Sequence, residues 1–291
     1  SFGGFTIGSA GTITINRAST AFTHTLSYVF GSTSGTIATK TTAASVSWTP
    51  PTSLLSQIPA SVSGSGTITC ITYSGSAEIG RKTVGFTAAA AAAVKPTISS
   101  VTITPVNSNT WLSSKGIYVA GRSKARVVTS ASPGAGSSMA SYGITGVGDG
   151  SGADWTSNVL STGSKTITIT AADRRGRTDT TTRSITVLAY SVPGINNLSY
   201  ARGTYSGGVW TANDNGADIQ VTFTLGLSLS DYSNTANITV QLDGVTKSSA
   251  TAQAAGEKVY YIAGVGTDTT RALTVSATDQ AGETGSVSAD I

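Results

Sequence analysis

The sequence predicts an all-β chain of three tandem antiparallel β-sandwiches, and three observations carry that reading. Thr, Val, Ile and Tyr are plentiful while the helix formers Leu, Glu, Lys and Gln are scarce, a balance that favours strands. Short stretches alternate apolar and hydroxyl side chains with a period of two, which puts Ile, Val, Phe and Leu on an inner face and Thr or Ser on an outer one. A hairpin with a charged corner occurs twice, as "TITITAADRRGRTDTTTRSITV" from Thr166 and as "ALTVSATDQAGETGSVSADI" from Ala272. Aligning Asp173, Gly176 and Thr178 with Asp279, Gly282 and Thr284 gives D-x-x-G-x-T in both, 106 residues apart. A period near 100 residues is about one immunoglobulin-like sandwich.

The elements follow in chain order. "GTITI", "AFTHTLSYVF", "GTIATK" and "SVSWT" read as strands of the first sandwich, closed by the hairpin "GTITCITYSGSAEIGRKTVGFTA". "TPPTSLLSQIP", Thr49 to Pro59, is the only helix-like piece, and Pro59 stops it within two turns. "AAAAAAVKP", Ala88 to Pro96, ends the unit, because so short an alanine helix is not stable alone and Pro96 forces an extended chain. "KGIYVA", "ARVVTSA" and "SYGITGV" read as strands of the second sandwich, and "VLAYSVPGI" ends it. "DIQVTFTL", "NITVQLDG" and "KVYYIAG" belong to the third. The expected domains are residues 1–94, 95–191 and 192–291.

Composition narrows the chemistry. With 38% hydrophobic residues among its 291 the chain can build cores, and its 11% of charged residues lies well below the roughly 25% of ordinary soluble proteins. Cys70 is the single cysteine, so no intramolecular disulfide forms, and it reads as a small buried hydrophobe. His24, the single histidine, alternates with Phe22 and Leu26 and reads as a satisfied strand residue rather than a catalytic base. No G-x-S-x-G elbow surrounds a serine, and no pair of acids converges in sequence. No catalytic residue, cofactor or metal site is therefore expected. The loop "WTANDNGAD", Trp210 to Asp218, offers oxygens from Asn213, Asp214, Asn215 and Asp218 but lacks the EF-hand spacing, so a solvated turn competes with a bound cation. No apolar run reaches the roughly 20 residues of a membrane span. The pI of 9.2 invites a nucleic-acid reading, but the basic residues are scattered and lack interleaved aromatics, so no nucleic-acid partner is expected.

The two D-x-x-G corners suit turns: Asp caps main-chain N–H groups and Gly supplies the left-handed conformation. In the first, Arg174, Arg175 and Arg177 add charge expected to be exposed; with Arg122, Lys124 and Arg126 they form the candidate anion contacts, with wall polyanions as ligand. Trp111, Trp155, Trp210, Tyr205 and Tyr232 lie near Gly, Ser or Asn and are the candidate glycan contacts, against a competing role as plugs at sandwich ends. Charge divides unevenly. Residues 1–95 hold five basic and one acidic side chain, residues 96–190 nine and four, and residues 191–291 four and nine. Such asymmetry points to association between copies.

Several of these stretches together resemble a family of siphophage minor structural, tail-associated proteins from phages of Gram-positive bacteria, catalogued as a domain of unknown function. "SWTPPTSLLSQIPASVSGSGTITCITYSGSAEIGRKTVGFTA", Ser47 to Ala88, resembles its first block. "KGIYVAGRSKARVVTSA", Lys115 to Ala131, resembles the second, and "TITITAADRRGRT" with "VLAYSVPGI" the third. The last hundred residues match more loosely. Chains of that family are usually longer, which implies a truncated or divergent member. The resemblance implies a non-enzymatic virion component of a tail tip, fibre or decoration, assembled in the host cytoplasm. Its implied partners are other tail proteins, copies of itself and host cell-wall polysaccharide, with no membrane partner. A bacterial surface adhesin or stalk of immunoglobulin-like repeats is the alternative.

Overall fold

The computed structural model describes residues 3–267 and 269–291. The fold is all-β, and each sheet draws its strands from one of three stretches of chain. The first contains β1 (Phe5–Thr6), β2 (Gly11–Thr14), β3 (Thr23–Phe30), β4 (Thr33–Thr41), β5 (Ser45–Trp48), β6 (Ser63–Ser74) and β7 (Ala77–Ala89). A five-stranded sheet in the order β1-β7-β6-β3-β4 faces the two-stranded sheet β2-β5. Ile13, Leu26, Phe30, Leu54, Ile68 and Phe86 are buried between them. Trp48 packs edge-on against Phe5 at 5.0 Å and Phe86 at 5.4 Å, the geometry ring quadrupoles favour.

The second stretch contains β8 (Thr97–Asn107), α1 (Thr110–Lys115), β9 (Tyr118–Val119), β10 (Ser123–Ser132), β11 (Met139–Thr145), β12 (Gly150–Ser151), β13 (Asp154–Thr156), β14 (Gly163–Asp173) and β15 (Thr178–Leu188). Its sheets run β13-β10-β8 and β12-β11-β14-β15-β9. The third contains β16 (Gly194–Ser206), β17 (Val209–Ala212), β18 (Asp218–Gly226), β19 (Ala236–Leu242), β20 (Val245–Gln253), β21 (Gly256–Ile262), β22 (Ala272–Asp279) and β23 (Thr284–Asp290). Its sheets run β17-β16-β18-β21 and β20-β19-β22-β23, closing on Ile219, Val221, Phe223, Leu225, Val240 and Val275.

The structure corrects the sequence reading in two places and bears out its short helix-like piece. "KGIYVA" is not one strand: its Lys115 ends α1, and only Tyr118 and Val119 pair in a sheet. That helix carries its own signals, since Asn109 accepts from the Leu112 N–H at 3.0 Å and Gly116 ends it in the left-handed region at φ 65°. "TPPTSLLSQIP" forms a 3-10 turn, Thr52–Gln57, whose Leu54 and Leu55 enter the first core. Two short edge pairings, β1 with β7 and β9 with β15, are parallel rather than antiparallel.

Packing divides the chain into two compact units. One comprises Ser1–Ile103, Val127–Thr156 and Thr166–Ser184; the other comprises Thr104–Arg126, Ser157–Lys165 and Ile185–Ile291. The division cuts through β8, β10, β14 and β15 of the second stretch, so each unit joins part of that stretch to a neighbouring sandwich.

Candidate functional site

The two D-x-x-G corners are built alike. In each, the Asp N–H donates to the carbonyl four residues on, Arg177 at 3.0 Å and Glu283 at 2.9 Å, and Gly176 or Gly282 donates back to the Asp carbonyl at 3.0 Å. Both glycines have positive φ, 77° and 89°, which any other L-residue adopts only with strain. Asp173 Oδ1 accepts from the N–H groups of Arg175 and Arg177, and Asp279 Oδ1 accepts from that of Glu283. Both carboxylates are buried, which a solvated turn does not require.

Within the first unit the corner acts as a clamp. Arg175 is 6% exposed and its guanidinium donates to the carbonyls of Ile58 (3.0 Å), Ala135 (2.8 Å) and Leu55 (2.8 Å). Arg177 donates to the carbonyls of Val94 and Ala90, each at 2.7 Å, and to that of Ala91. The alanine run after β7 is thus held by an arginine, and Arg175 and Arg177 are not the exposed anion contacts expected from sequence; Arg174 alone of the three is exposed.

Within the second unit the other corner seats a different set. Tyr190 donates its hydroxyl to Asp279 Oδ2 at 3.0 Å, and Asn234 Nδ2 donates to the same oxygen at 2.9 Å. Burial and the Asp279 charge push the Tyr190 phenol well above the ordinary tyrosine range. Ala281 packs with Leu112 and Val119, and Asn109 Nδ2 donates to the Gln280 carbonyl at 3.0 Å. Arg122 pairs with Glu283 and lies 5.1 Å from the Tyr190 ring centroid, so it too is engaged. Lys124 and Arg126 lie at the surface.

The aromatic candidates separate in the same way. Trp111 is half-buried against Leu112, Val119 and Ala281, with Lys115 Nζ 5.6 Å from its ring centroid. Trp155 lies on Gly150, where an added Cβ would come within 2.4 Å of the indole. Tyr232 is half-buried in the 3-10 turn Ser230–Tyr232. Trp111 and Trp155 are thus packed against neighbouring residues.

Tyr205 and Trp210 form something else. They face each other across the β16–β17 pair and stand on the outer face of the third sandwich. A residue not singled out from sequence, Tyr261 on β21, joins them. Tyr205 and Tyr261 stack at 4.0 Å between centroids with planes 9° apart, and Trp210 lies 5.6 Å from Tyr261. Gly203 is the seat of the indole: a Cβ there would fall 2.5 Å from the ring. Gln220 Nε2 donates to the Tyr261 hydroxyl at 3.2 Å. Asp218 anchors the rim, since its two oxygens accept from the main-chain N–H groups of Tyr205 (2.8 Å) and Gly264 (3.1 Å). Those bonds hold its carboxyl below the usual range. The Trp210–Asp218 loop is therefore a turn whose Asp218 is committed to main chain, with Asn213 Oδ1 accepting from the Asn215 N–H at 3.1 Å. Tyr205 keeps 42% of its surface exposed, so the cluster presents fixed rings to solvent.

His24 and Cys70 also depart from expectation. His24 is buried, with Nδ1 3.1 Å from Thr72 Oγ1 and 3.8 Å from Cys70 Sγ, but its Nε2 has no hydrogen-bond partner among the described residues. Cys70 is only half-buried, and burial still pushes its thiol up, which keeps it protonated and a poor nucleophile.

Comparison with known proteins places the chain. Residues 1–223 match the family described as "Siphovirus protein of unknown function (DUF859)". The chain belongs to that family. No curated protein matches it. Similar solved structures include the fibronectin(III)-like modules of Clostridium thermocellum CbhA, at 16% identity over 67% of this chain and 92% of that one, TM-score 0.27. The immunoglobulin domains 1–5 of Sidekick-1 match at 12% identity over 99% of this chain, TM-score 0.39; the chain spans 56% of that one. A 1.5-MDa bacterial ice-binding adhesin matches at 16% identity over 99% of this chain and 92% of that chain, TM-score 0.43. Among the described residues no helix is long and apolar enough to cross a membrane.

Proposed function

We propose that this siphovirus protein is a non-enzymatic structural component of the phage tail, in the tip, a fibre or a decoration, and that its third sandwich touches polysaccharide on the host cell surface. The observation that carries the attachment reading is the outward cluster of Tyr205, Trp210 and Tyr261. Three rings fixed by stacking and by a glycine seat offer apolar, electron-rich faces to the C–H faces of sugar rings. They lose little entropy on binding because their rotamers are already held. Gln220, whose Nε2 already orients the Tyr261 hydroxyl, supplies a polar group beside them.

The structural part rests on family membership and on the two buried corners, which tie each unit together with charge-assisted bonds. The partners in this reading are other tail proteins and further copies of the chain, brought together by the basic first 190 residues and the acidic remainder, and the setting is the virion after assembly in the host cytoplasm. The only thiol is protonated and the only imidazole contacts Thr72 and Cys70, so the Cys–His pair is not set up for nucleophilic catalysis.

The test is retention of the purified chain on polysaccharide from host cell walls. Retention by the unaltered chain and loss in the Tyr205→Ala, Trp210→Ala double variant, with unchanged circular dichroism, is the expected result. Equal retention of both proteins would refute the attachment reading.

A further inference from the structure

The first sandwich is unevenly covered. Its strands β6 and β7 run 12 and 13 residues, while β2 and β5 opposite them have four each. The long hairpin outruns its cover toward its own turn. Along the inner face of β7, Ala88 and Phe86 are buried, Val84 is half-buried and Lys82 is exposed; on β6, Ile68 is buried while Cys70 and Thr72 are half-buried. Between the sheets at that end lies a cavity of about 630 Å³, within the roughly 300–1,000 Å³ of small-ligand sites.

Its lining is divided by chemistry. Ile15, Val84 and Cys70 make its apolar floor, over the buried Ile13, Leu26 and Ile68. Lys82 stands directly across from Cys70 in the β6–β7 ladder and so on the same inner face, a position where a strand normally places an apolar side chain. Lys82 has no ion-pair partner among the described residues, and Arg81 beside it shares only the exposed Glu78, the one acid in the first 95 residues. His24 lines the same cavity at 3% exposure and brings a buried Nε2 without a hydrogen-bond partner. Buried polar atoms of this kind are rarely left unpaired. A basic rim, an apolar floor and an unused ring nitrogen together select a ligand.

We propose that this cavity binds a small anion carried on an apolar body, an alkyl or aryl carboxylate or phosphate ester. The apolar body lies against Ile15, Val84 and Cys70 beyond the end of β2, the anion meets Lys82, and a ligand oxygen pairs with His24. This site lies in the first sandwich and does not depend on the aromatic cluster of the third.

The chain carries its own reporters, because His24 is its only histidine and Cys70 its only cysteine. Titrate the intact protein with octanoate, octyl phosphate, octanol and inorganic phosphate, following the His24 ring nitrogens by NMR and the rate at which a disulfide reagent modifies Cys70. Saturable shifts with octanoate or octyl phosphate are expected, with Cys70 modification slowed about threefold or more once the cavity fills. Whichever of the two binds more tightly identifies the head group. Lys82→Glu, an exposed substitution, is expected to weaken binding about tenfold, close to 1.4 kcal/mol. No saturable shift with either amphiphile, equal binding of octanol and octanoate, shifts with inorganic phosphate alone, or an unchanged affinity in Lys82→Glu would each overturn the proposal.

Discussion

Replacing Arg175 with methionine tests the reading of the first corner as a clamp. Methionine keeps most of the stem and removes the guanidinium. Three charge-assisted hydrogen bonds are lost, each about 1.5–3 kcal/mol. The Leu55 carbonyl keeps the Ile58 N–H at 3.2 Å and the Ile58 carbonyl keeps the Ser61 N–H at 3.4 Å, so two of the three acceptors stay paired. For the Ala135 carbonyl no second donor is found among the described residues. Relief from burying a cation, whose pKa burial already lowers, offsets several kcal/mol of the gross loss. The net expectation is a destabilisation of about 3 kcal/mol, between the cost of one broken charged bond and that of a broken buried ion pair. For a unit of this size that is a fall of roughly 6–12 °C in the melting temperature of the transition containing the first sandwich. The assay is differential scanning calorimetry, with Arg174→Met as the exposed control. A loss within about 0.5 kcal/mol of that control would show that Arg175 behaves as a surface residue and that the clamp contributes nothing.

Other predictions follow from the same geometry. Arg177→Met frees the carbonyls of Ala90, Ala91 and Val94, so elastase, which cuts after small residues, should cleave within the alanine run several-fold faster than in the unaltered chain; an unchanged rate means the run is held by something else. Because the folded-state pKa of Tyr190 is raised, its contribution is fully present below the ordinary tyrosine value of about 10 and is lost as pH rises above it. Urea unfolding between about pH 9 and 11 should show that decline, and Tyr190→Phe should flatten it; an equal decline in both proteins assigns it elsewhere. Asp179 has its carboxyl lowered first by the Ile98 N–H and then by Lys95, so its contribution is present above the ordinary aspartate range and lost as pH falls through the folded value. Asp179→Asn should therefore be less acid-sensitive than the parent, as read by the midpoint of acid unfolding. The charge split should drive self-association that weakens between about 0.05 and 0.5 M salt, as read by sedimentation velocity of the whole chain and of a version ending at Tyr190; monomers throughout at low salt reject it.

What could be read from sequence follows where hydrophobic periodicity was strong. β3, β14, β18, β19 and β22 each bury alternate residues, so their inner faces were visible as Ile, Val, Leu and Phe at every second position. β20 was missed because it lies at a sheet edge and its "VTKSSATAQ" has almost no apolar side chain to alternate. β16 was missed although it is 13 residues long, because a register shift between Asn196 and Ser199, with Asn197 at φ 54°, breaks the period in its middle. The corners were legible as turns, since Asp and Gly encode the local hydrogen bonds. Their burial was not, because in the first corner it depends on carbonyls 40 to 120 residues away that no local pattern marks. Tyr261 did carry a signal: in "KVYYIAG", Tyr260 and Ile262 turn inward, so Tyr261 must face out. Its meeting with Tyr205 and Trp210 depends on the order β17-β16-β18-β21, which sequence spacing does not give.

Immunogold electron microscopy of intact siphovirus particles encoding this chain tests the central claim most directly. Antibodies raised against the purified chain are applied to gradient-purified, DNA-filled virions. Gold confined to the tail is the expected result, with label surviving high-salt washing because the protein is built into the particle. Intact virions without label, alongside the protein recovered only from the soluble lysate, would contradict a structural place in the tail.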